Sequence, residues 1–226
     1  MRVLGRGVYR RPEEPPRLRP RLRNGWIYML IGLWGTAVSA GTIQLWRYQL
    51  TPGVEPASAQ ARWPADASVP SHPGRPTLLM IAHPQCSCTR ASLNELRRLI
   101  VRFGELKTPP VVYLSVIVPE GAGPGWTDGP VLRNAATIRG LNVVLDPGGR
   151  FAERFGATTS GHVLLYGADG SLLFSGGITA ARAHEGDAGG QEAIVAALYG
   201  RTRVAESTPV FGCALQSRAA LMRRVP

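Results

Sequence analysis

A stretch of 22 residues near the N-terminus, residues 25–46, contains no charged side chain. Its sequence, GWIYMLIGLWGTAVSAGTIQLW, is long enough for a helix to cross a membrane, since the hydrocarbon core takes about 20 apolar residues. Trp26, Tyr28 and Trp46 lie near its ends, where aromatic side chains commonly meet the membrane interface. We therefore expect a single transmembrane anchor here and a folded domain in the residues that follow.

The charge around this stretch predicts its orientation. Residues 1–24 contain eight arginines and two glutamates, so this arm carries +6 of the net charge of +11. The positive-inside rule then places the arm in the cytoplasm of a bacterium and the domain outside the inner membrane, in the periplasm or another extracytoplasmic space. A cleaved signal peptide is the alternative, since VSA at residues 38–40 is an acceptable cleavage site. The apolar run continues past that site, which favours a retained anchor.

The basic arm also bears on nucleic-acid binding. Much of the positive charge lies in this short arm, which contains no recognition motif. We therefore expect a membrane and a protein partner, and no nucleic acid.

The composition changes again after residue 46. Residues 47–75 are rich in proline, alanine and serine without periodicity, which predicts a linker or a loosely packed arm. In residues 76–200, apolar runs at 77–82, 111–118 and 142–146 alternate with helical patterns at 89–103, 131–140 and 148–156. A hairpin pattern at 162–167 and 171–177 and a last helix at 189–200 follow, before a basic tail, residues 201–226. This order predicts an α/β domain with a mixed sheet flanked by helices.

The sequence HPQCSCTR, residues 83–90, lies between the first predicted strand and the first long helix. A thiolate at a helix N-terminus is stabilised by the helix dipole, and His83 and Arg90 could add positive charge. A disulfide between Cys86 and Cys88 would close a small, strained ring, which is easily reduced. The pair is therefore more typical of reactive thiols than of a structural disulfide or of two inert cysteines.

The motifs AHPQCSCTRASLNEL, FGATTSGHVLLYGADGSLLFSGGIT, HEGD and TPVFGC, in this order of elements, resemble the thioredoxin fold. More closely, they resemble the membrane-anchored thioredoxin-like proteins labelled RedB, over most of residues 63–213. The resemblance implies a thiol–disulfide oxidoreductase that exchanges with a protein thiol or disulfide and requires no cofactor. It implies that Cys86 attacks, that Cys88 is its partner and that Cys213 is the late cysteine of the family. Aligning Cys88 with the second cysteine of a Cys-x-x-Cys motif leaves the identity of the attacking thiol open.

One departure from the thioredoxin pattern favours a second function. Gly161 stands where thioredoxins place a cis-proline, and a glycine leaves space beside the cysteines. His162 follows directly, and copper-delivery proteins of the SCO type use two cysteines and a histidine in this region, although they have Cys-x-x-x-Cys. Cys86, Cys88 and His162, with Cys213 as a further candidate, would suit copper(I) or zinc. The alternative function is thus a copper-binding chaperone or assembly factor, unless His162 is an ordinary residue at a strand start.

Other candidates carry less specific patterns. His184, Glu185 and Asp187 have the composition of a metal site, although Asp187 could simply cap the last helix. Cys213 is an odd thiol that could resolve a mixed disulfide, join a metal, pair between chains or be inert. The cysteine signature of peroxiredoxins is missing, which argues against a peroxidase. A third possibility is a fold retained for partner binding with little catalysis.

Overall fold

The computed structural model describes residues 25–54, 59–67, 69–201 and 206–215. The predicted basic arm and the end of the predicted tail, residues 216–226, lie outside these ranges. The helices are α1 (Gly25–Leu50), α2 (Ser87–Phe103), α3 (Pro130–Ala136), α4 (Arg150–Arg154) and α5 (Gly189–Leu198). The strands are β1 (Thr77–Ala82), β2 (Val111–Val118), β3 (Leu141–Pro147), β4 (His162–Tyr166), β5 (Leu172–Gly176) and β6 (Glu206–Ser207), and a short 3₁₀ helix spans Pro124–Trp126.

Helix α1 has no buried residue along its 26 positions. Among the described residues it is the one helix that is long and apolar enough to cross a membrane. The predicted apolar helix is therefore present, and it continues a turn beyond the predicted end at residue 46, through Arg47 to Leu50.

The domain is built on a six-stranded sheet in the order β3-β2-β1-β4-β5-β6. β1 pairs in parallel with β2, and β2 with β3, because α2 and α3 carry the chain back across the sheet between them. β4 pairs antiparallel with both β1 and β5. This arrangement confirms the predicted thioredoxin-like mixed sheet flanked by helices. β6, which pairs in parallel with β5, was not predicted.

The two faces of the sheet bury different sets of side chains, because successive residues of a strand point to opposite sides. On one face α2, α3 and α5 cover Leu78, Met80 and Ala82 of β1. On the other face α4 covers Leu79 and Ile81. A residue's position in its strand therefore decides which helices it can meet.

The second face is also covered by part of the stretch that its composition predicted to be a linker. Val69 is buried there, and the indole N–H of Trp63 donates to its carbonyl oxygen at 3.3 Å. The Trp63 ring packs against Phe155 and Tyr166, with ring centres 4.9 and 5.2 Å away. Part of this stretch thus packs against the domain. The sequence did not predict this packing, because a single aromatic side chain such as Trp63 produces no periodic pattern.

Candidate thiol site

The first half of the site is the junction between β1 and α2. Cys86 is the N-cap residue of α2, and Cys88 lies in its first turn. The backbone turns sharply here, with Cys86 N–H donating to the His83 carbonyl at 3.1 Å. The Thr89 hydroxyl donates to the same carbonyl at 3.0 Å and is hydrogen-bonded to the Ser160 hydroxyl at 2.7 Å. The predicted helix start is two residues late, and the structure places both cysteines at the helix mouth.

The second half of the site comes from residues 208–215, which we call the return segment. The Cys213 carbonyl accepts the N–H of Ser160 at 2.8 Å, and the Leu215 N–H donates to the Thr158 carbonyl at 2.9 Å. This pairing brings the Sγ atom of Cys213 to 2.7 Å from the Sγ atom of Cys86. The sulfur of Cys88 completes a group in which all three lie within 4.8 Å of one another. The three predicted cysteines therefore form one cluster.

The three thiols differ in acidity. Burial opposes ionisation of Cys86, yet the pKa of its thiol is lowered by a hydrogen bond with the Cys213 thiol and by the backbone N–H groups of Cys213, Thr89 and Cys88. The N–H groups of Cys88 and Thr89 belong to the first turn of α2, where the helix dipole also favours a thiolate. Burial raises the pKa of Cys88, and the charge of Cys86 raises it further. Burial and the hydrogen bond with Cys86 raise the pKa of Cys213 to about 12.

This order of acidity assigns roles within the contact. Cys86 is the more acidic of the two, and the Cys213 thiol is the group that donates to it, because the same hydrogen bond lowers the pKa of Cys86 and raises that of Cys213. A thiolate at a helix N-terminus with a thiol in contact is a competent nucleophile with a partner in place.

His83 and Arg90, which could have supplied positive charge, have other surroundings. Burial lowers the pKa of His83, so its imidazole is neutral at neutral pH. Its ring meets Trp126 edge-on, and its Nδ1 accepts the N–H of Gln85 at 3.3 Å. Arg90 is exposed on α2. His83 therefore shapes the turn and supplies no positive charge at neutral pH.

The structure does not bring His162 into the cluster. Ile81 is its partner in the β1–β4 pairing, so its side chain lies on the face opposite α2. There its Nε2 atom is hydrogen-bonded to the Ser175 hydroxyl at 2.9 Å, and burial lowers the pKa of the imidazole to about 4. Closeness along the chain to Gly161 suggested a shared site, but the alternation of the strand separates the two.

The space predicted at Gly161 is occupied. Its φ of +89° suits glycine, and a Cβ atom there would lie 2.9 Å from the Ser92 hydroxyl oxygen of α2. Its N–H donates to the Ile81 carbonyl at 2.8 Å, a bond that a proline could not make. No peptide bond of the described residues is cis. The glycine is thus required by the backbone, and Ser92 occupies the space beside it.

The acidic group before α5 is not assembled as a metal site. The Glu185 carboxylate accepts the amide of Asn94 at 2.7 Å and pairs with Arg98 at 3.4 Å, while His184 and Asp187 are exposed. Among the described residues, the three cysteines are the one set of at least three candidate ligands that converge. Asp187 does not cap α5, whose N-cap is Ala188.

No protein-family model and no curated protein matches the chain. Among solved structures, it is similar to a hypothetical protein from Sinorhizobium meliloti, with 18% identity and a TM-score of 0.51 over 63% of this chain and 79% of that one. An uncharacterized conserved protein from Geobacillus kaustophilus has 18% identity and a TM-score of 0.50, over 75% of this chain and 93% of that one. At this identity the two similarities show the fold alone.

An exposed lipoprotein thioredoxin from Streptococcus pneumoniae also matches, with 20% identity and a TM-score of 0.40 over 57% of this chain and 87% of that one.

Proposed function

We propose that the protein is a membrane-anchored, extracytoplasmic thiol–disulfide oxidoreductase in which Cys86 is the attacking thiol. The observation that carries this proposal is the 2.7 Å contact between the Cys86 and Cys213 sulfurs at the N-terminus of α2. Two thiols in contact, one of them with a lowered pKa, are what a two-electron exchange with a disulfide requires.

The reaction proceeds in two displacements. The Cys86 thiolate attacks one sulfur of a substrate disulfide, so that a Cys86–substrate disulfide forms and the other substrate sulfur leaves as a thiolate. A second cysteine of the site loses its proton to solvent and attacks the Cys86 sulfur, which releases the remaining substrate thiolate. The site ends as a disulfide, the substrate gains two electrons, and a dithiol reductant restores the site. The reverse sequence oxidises a substrate dithiol.

Two cysteines can perform the second displacement, and the geometry favours Cys213. Cys88 was the partner suggested by the family resemblance, but its disulfide with Cys86 would close a short ring with unfavourable geometry. Cys213 comes from a separate segment and is already in contact with Cys86. We propose that Cys86 and Cys213 form the first disulfide, and that Cys88 exchanges with it afterwards.

The setting of the site follows from the predicted topology. Helix α1 would anchor the protein in the inner membrane, with the basic arm in the cytoplasm and the domain outside it. Such a compartment is oxidising, which suits a disulfide-exchanging site. We also propose that the protein is of the RedB type and that its partner is a protein thiol or disulfide. It would require no cofactor.

Copper binding is the second candidate, because three thiolates within 4.8 Å are a suitable set for copper(I). The ligands would be the three cysteines, since His162 lies on the other face of the sheet.

The test uses the full-length protein in detergent. We expect turnover in a disulfide-reduction assay, a Cys86–Cys213 disulfide by mass spectrometry after mild oxidation, and loss of both on Cys86→Ser. Ser87→Ala is the matched control, because Ser87 is exposed between the two cysteines. Tight stoichiometric copper(I) binding without turnover would reject the oxidoreductase and support the copper chaperone. Neither turnover nor copper binding would leave the partner-binding function.

A further inference from the structure

The 178–188 loop, between β5 and α5, is fixed to α2 by a buried carboxylate. Glu95 is buried on α2, and its two oxygens accept the Gly186 N–H at 2.7 Å and the Gln191 amide at 3.0 Å. The Gln191 amide also donates to the carbonyl oxygens of Ile178 and Gly186 at 3.0 and 2.9 Å. Both ends of the loop are thereby held against the helix that carries Cys86 and Cys88.

The loop directs two groups at the thiol site. The backbone N–H of Ala183 faces the Cys88 sulfur and favours its thiolate. Ala183 has a φ of +54°, the one positive φ outside glycine among the described residues. This conformation is unfavourable for alanine by about 1 kcal/mol or more, so the surrounding contacts must impose it.

The second group is the side chain of Arg182, which is hydrogen-bonded to two separate segments. Its guanidinium donates to the Gly212 carbonyl, next to Cys213, and to the Thr51 carbonyl at 3.1 Å. It also lies over the Tyr48 ring, 5.0 Å from the ring centre, and its backbone N–H donates to the Gln49 carbonyl at 3.0 Å. An arginine side chain with these partners is held in one place, and it holds the return segment in turn.

The charge of Arg182 acts on the site unevenly. It favours the thiolates of Cys88 and Cys213 and so opposes the burial that raises the pKa of both. The lowered pKa of Cys86 has other causes, namely its hydrogen bonds. His83, the titratable group on the neighbouring turn, is neutral at neutral pH because burial lowers its pKa. Removing the arginine charge should therefore raise the pKa of Cys88 and of Cys213 directly, whereas it has no direct effect on the pKa of Cys86.

We propose that Arg182 is a positioning residue that holds Cys213 ready to release the mixed disulfide formed on Cys86. This inference rests on the proposed exchange function. In the step concerned, the Cys213 thiol loses its proton to solvent and its sulfur attacks Cys86. The Cys86–Cys213 bond forms as the bond from Cys86 to the substrate sulfur breaks, and the substrate leaves as a thiolate. Arg182 contacts none of the reacting sulfurs through a bond of its own, and it acts through Gly212 and through its charge.

The experiment separates the two displacements with one probe. Reduced full-length Cys88→Ser protein in detergent is mixed with an aromatic disulfide that releases the coloured thionitrobenzoate. Attack by Cys86 releases one equivalent and resolution by Cys213 releases the second, and mass spectrometry of the product distinguishes a Cys86–Cys213 disulfide from two probe adducts. We expect Arg182→Met to slow the second phase more than the first, because Cys86 keeps the N–H groups of Thr89 and Cys88 whereas Cys213 loses the contact that holds its segment. The second phase should slow several-fold at neutral pH, because Cys213 also loses the positive charge that favours its thiolate.

Two further variants show whether the role of Arg182 is more than structural. Arg182→Lys retains the charge and should move the pH midpoint of the second phase back toward that of the parent. Arg139→Met removes an exposed arginine from another part of the domain and should change neither phase. Equal second phases in Arg182→Met and the parent would overturn the inference, as would a slow second phase whose pH midpoint does not respond to Arg182→Lys. A Cys88→Ser parent that releases a single equivalent would also overturn the inference, because Cys213 would then not resolve, whereas release of no equivalent would reject the proposed exchange function.

Discussion

The two segments that bring sulfur to the site differ in how the fold holds them. The junction between β1 and α2 is local: strand, turn and helix follow each other, and Cys86 and Cys88 take their places from the helix start. The return segment, residues 208–215, is about 120 residues further along the chain and has no regular secondary structure beyond an isolated bridge between Thr159 and Ala214. Its position depends on single hydrogen bonds and on glycines that permit close approach.

This difference bears on two properties of the site, the acidity of Cys86 and the presence of a second thiol beside it. The pKa of Cys86 is lowered from both sides: first by the thiol and the backbone N–H of Cys213 in the return segment, and then by the N–H groups of Thr89 and Cys88, which are present whenever α2 forms. The partner thiol is present only when the return segment lies against Thr159 and Ser160. Changes in the junction should therefore remove the attack, whereas changes in the return segment should slow the attack in part and remove its resolution.

The largest effect should come from replacing each of the two candidate partner thiols, Cys213 and Cys88, in turn by serine. Cys213→Ser should slow the second displacement at least about a hundredfold, since an intramolecular attack is lost. The mixed disulfide on Cys86 should then accumulate and be visible by mass spectrometry of the quenched protein. Cys88→Ser should resolve at close to the parent rate. The reverse pattern would show that the adjacent cysteine is the resolving one.

The next effect tests the turn that faces the junction. Gly161→Pro, which restores the residue that thioredoxins have there, should destabilise the domain by about 3 kcal/mol or more. Proline cannot adopt a φ of +89° and has no N–H to donate to the Ile81 carbonyl. Chemical denaturation of the detergent-solubilised protein measures the change in the free energy of unfolding. A stable Gly161→Pro protein with normal turnover would show that the turn can adopt the thioredoxin form.

The sequence could predict the junction because its signals are local. Alternating apolar runs and helical patterns gave the order of β1, α2 and β2, and the cysteine pair was placed at the helix mouth without knowledge of the rest. Helix α2 began two residues earlier than predicted, since Ser87 and Cys88 carry no helix-favouring pattern of their own. The mixed sheet flanked by helices followed from the same patterns, its thioredoxin-like form was implied by the resemblance, and both are confirmed.

The return segment and its surroundings could not be predicted in this way. Nothing in TPVFGC indicates that its backbone pairs with residues 158–160, because such contacts join irregular segments far apart in the chain. His162 was expected beside the cysteines, since proximity in sequence was the one guide to its position. The side of the sheet on which it lies depends on register, which a single residue's shift would reverse. Arg182 was not among the predicted site residues, although it lies two residues before the HEGD motif, because its partners are in distant segments of the chain.

A smaller effect should come from the glycine next to Cys213. A Cβ atom on Gly212 would lie 1.9 Å from the Ser160 carbonyl oxygen, so the return segment would have to move away from the turn. We expect Gly212→Ala to cost about 2–3 kcal/mol and to lower the yield of the Cys86–Cys213 disulfide, with Cys86 still reactive toward alkylating reagents. Gly123→Ala, at a glycine with open space around it, is the control and should change little. An unchanged disulfide yield would show that the segment tolerates the shift.

The smallest effect concerns His162, which should change how the stability of the fold depends on pH without changing the reactivity of the thiols. Its pKa is about 4 in the folded domain and near 6.5 when unfolded, because burial disfavours the imidazolium. The unfolded chain therefore binds more protons between these values, so stability falls as the pH drops from 6.5 toward 4, by about 2 kcal/mol at pH 5. His162→Gln retains a polar group for Ser175 and should reduce this slope, as measured by denaturation at pH 7 and pH 5. The alkylation rate of Cys86 should not change, because the imidazole lies on the other face of the sheet. A slower Cys86 in this variant would mean that the histidine takes part in the thiol site after all.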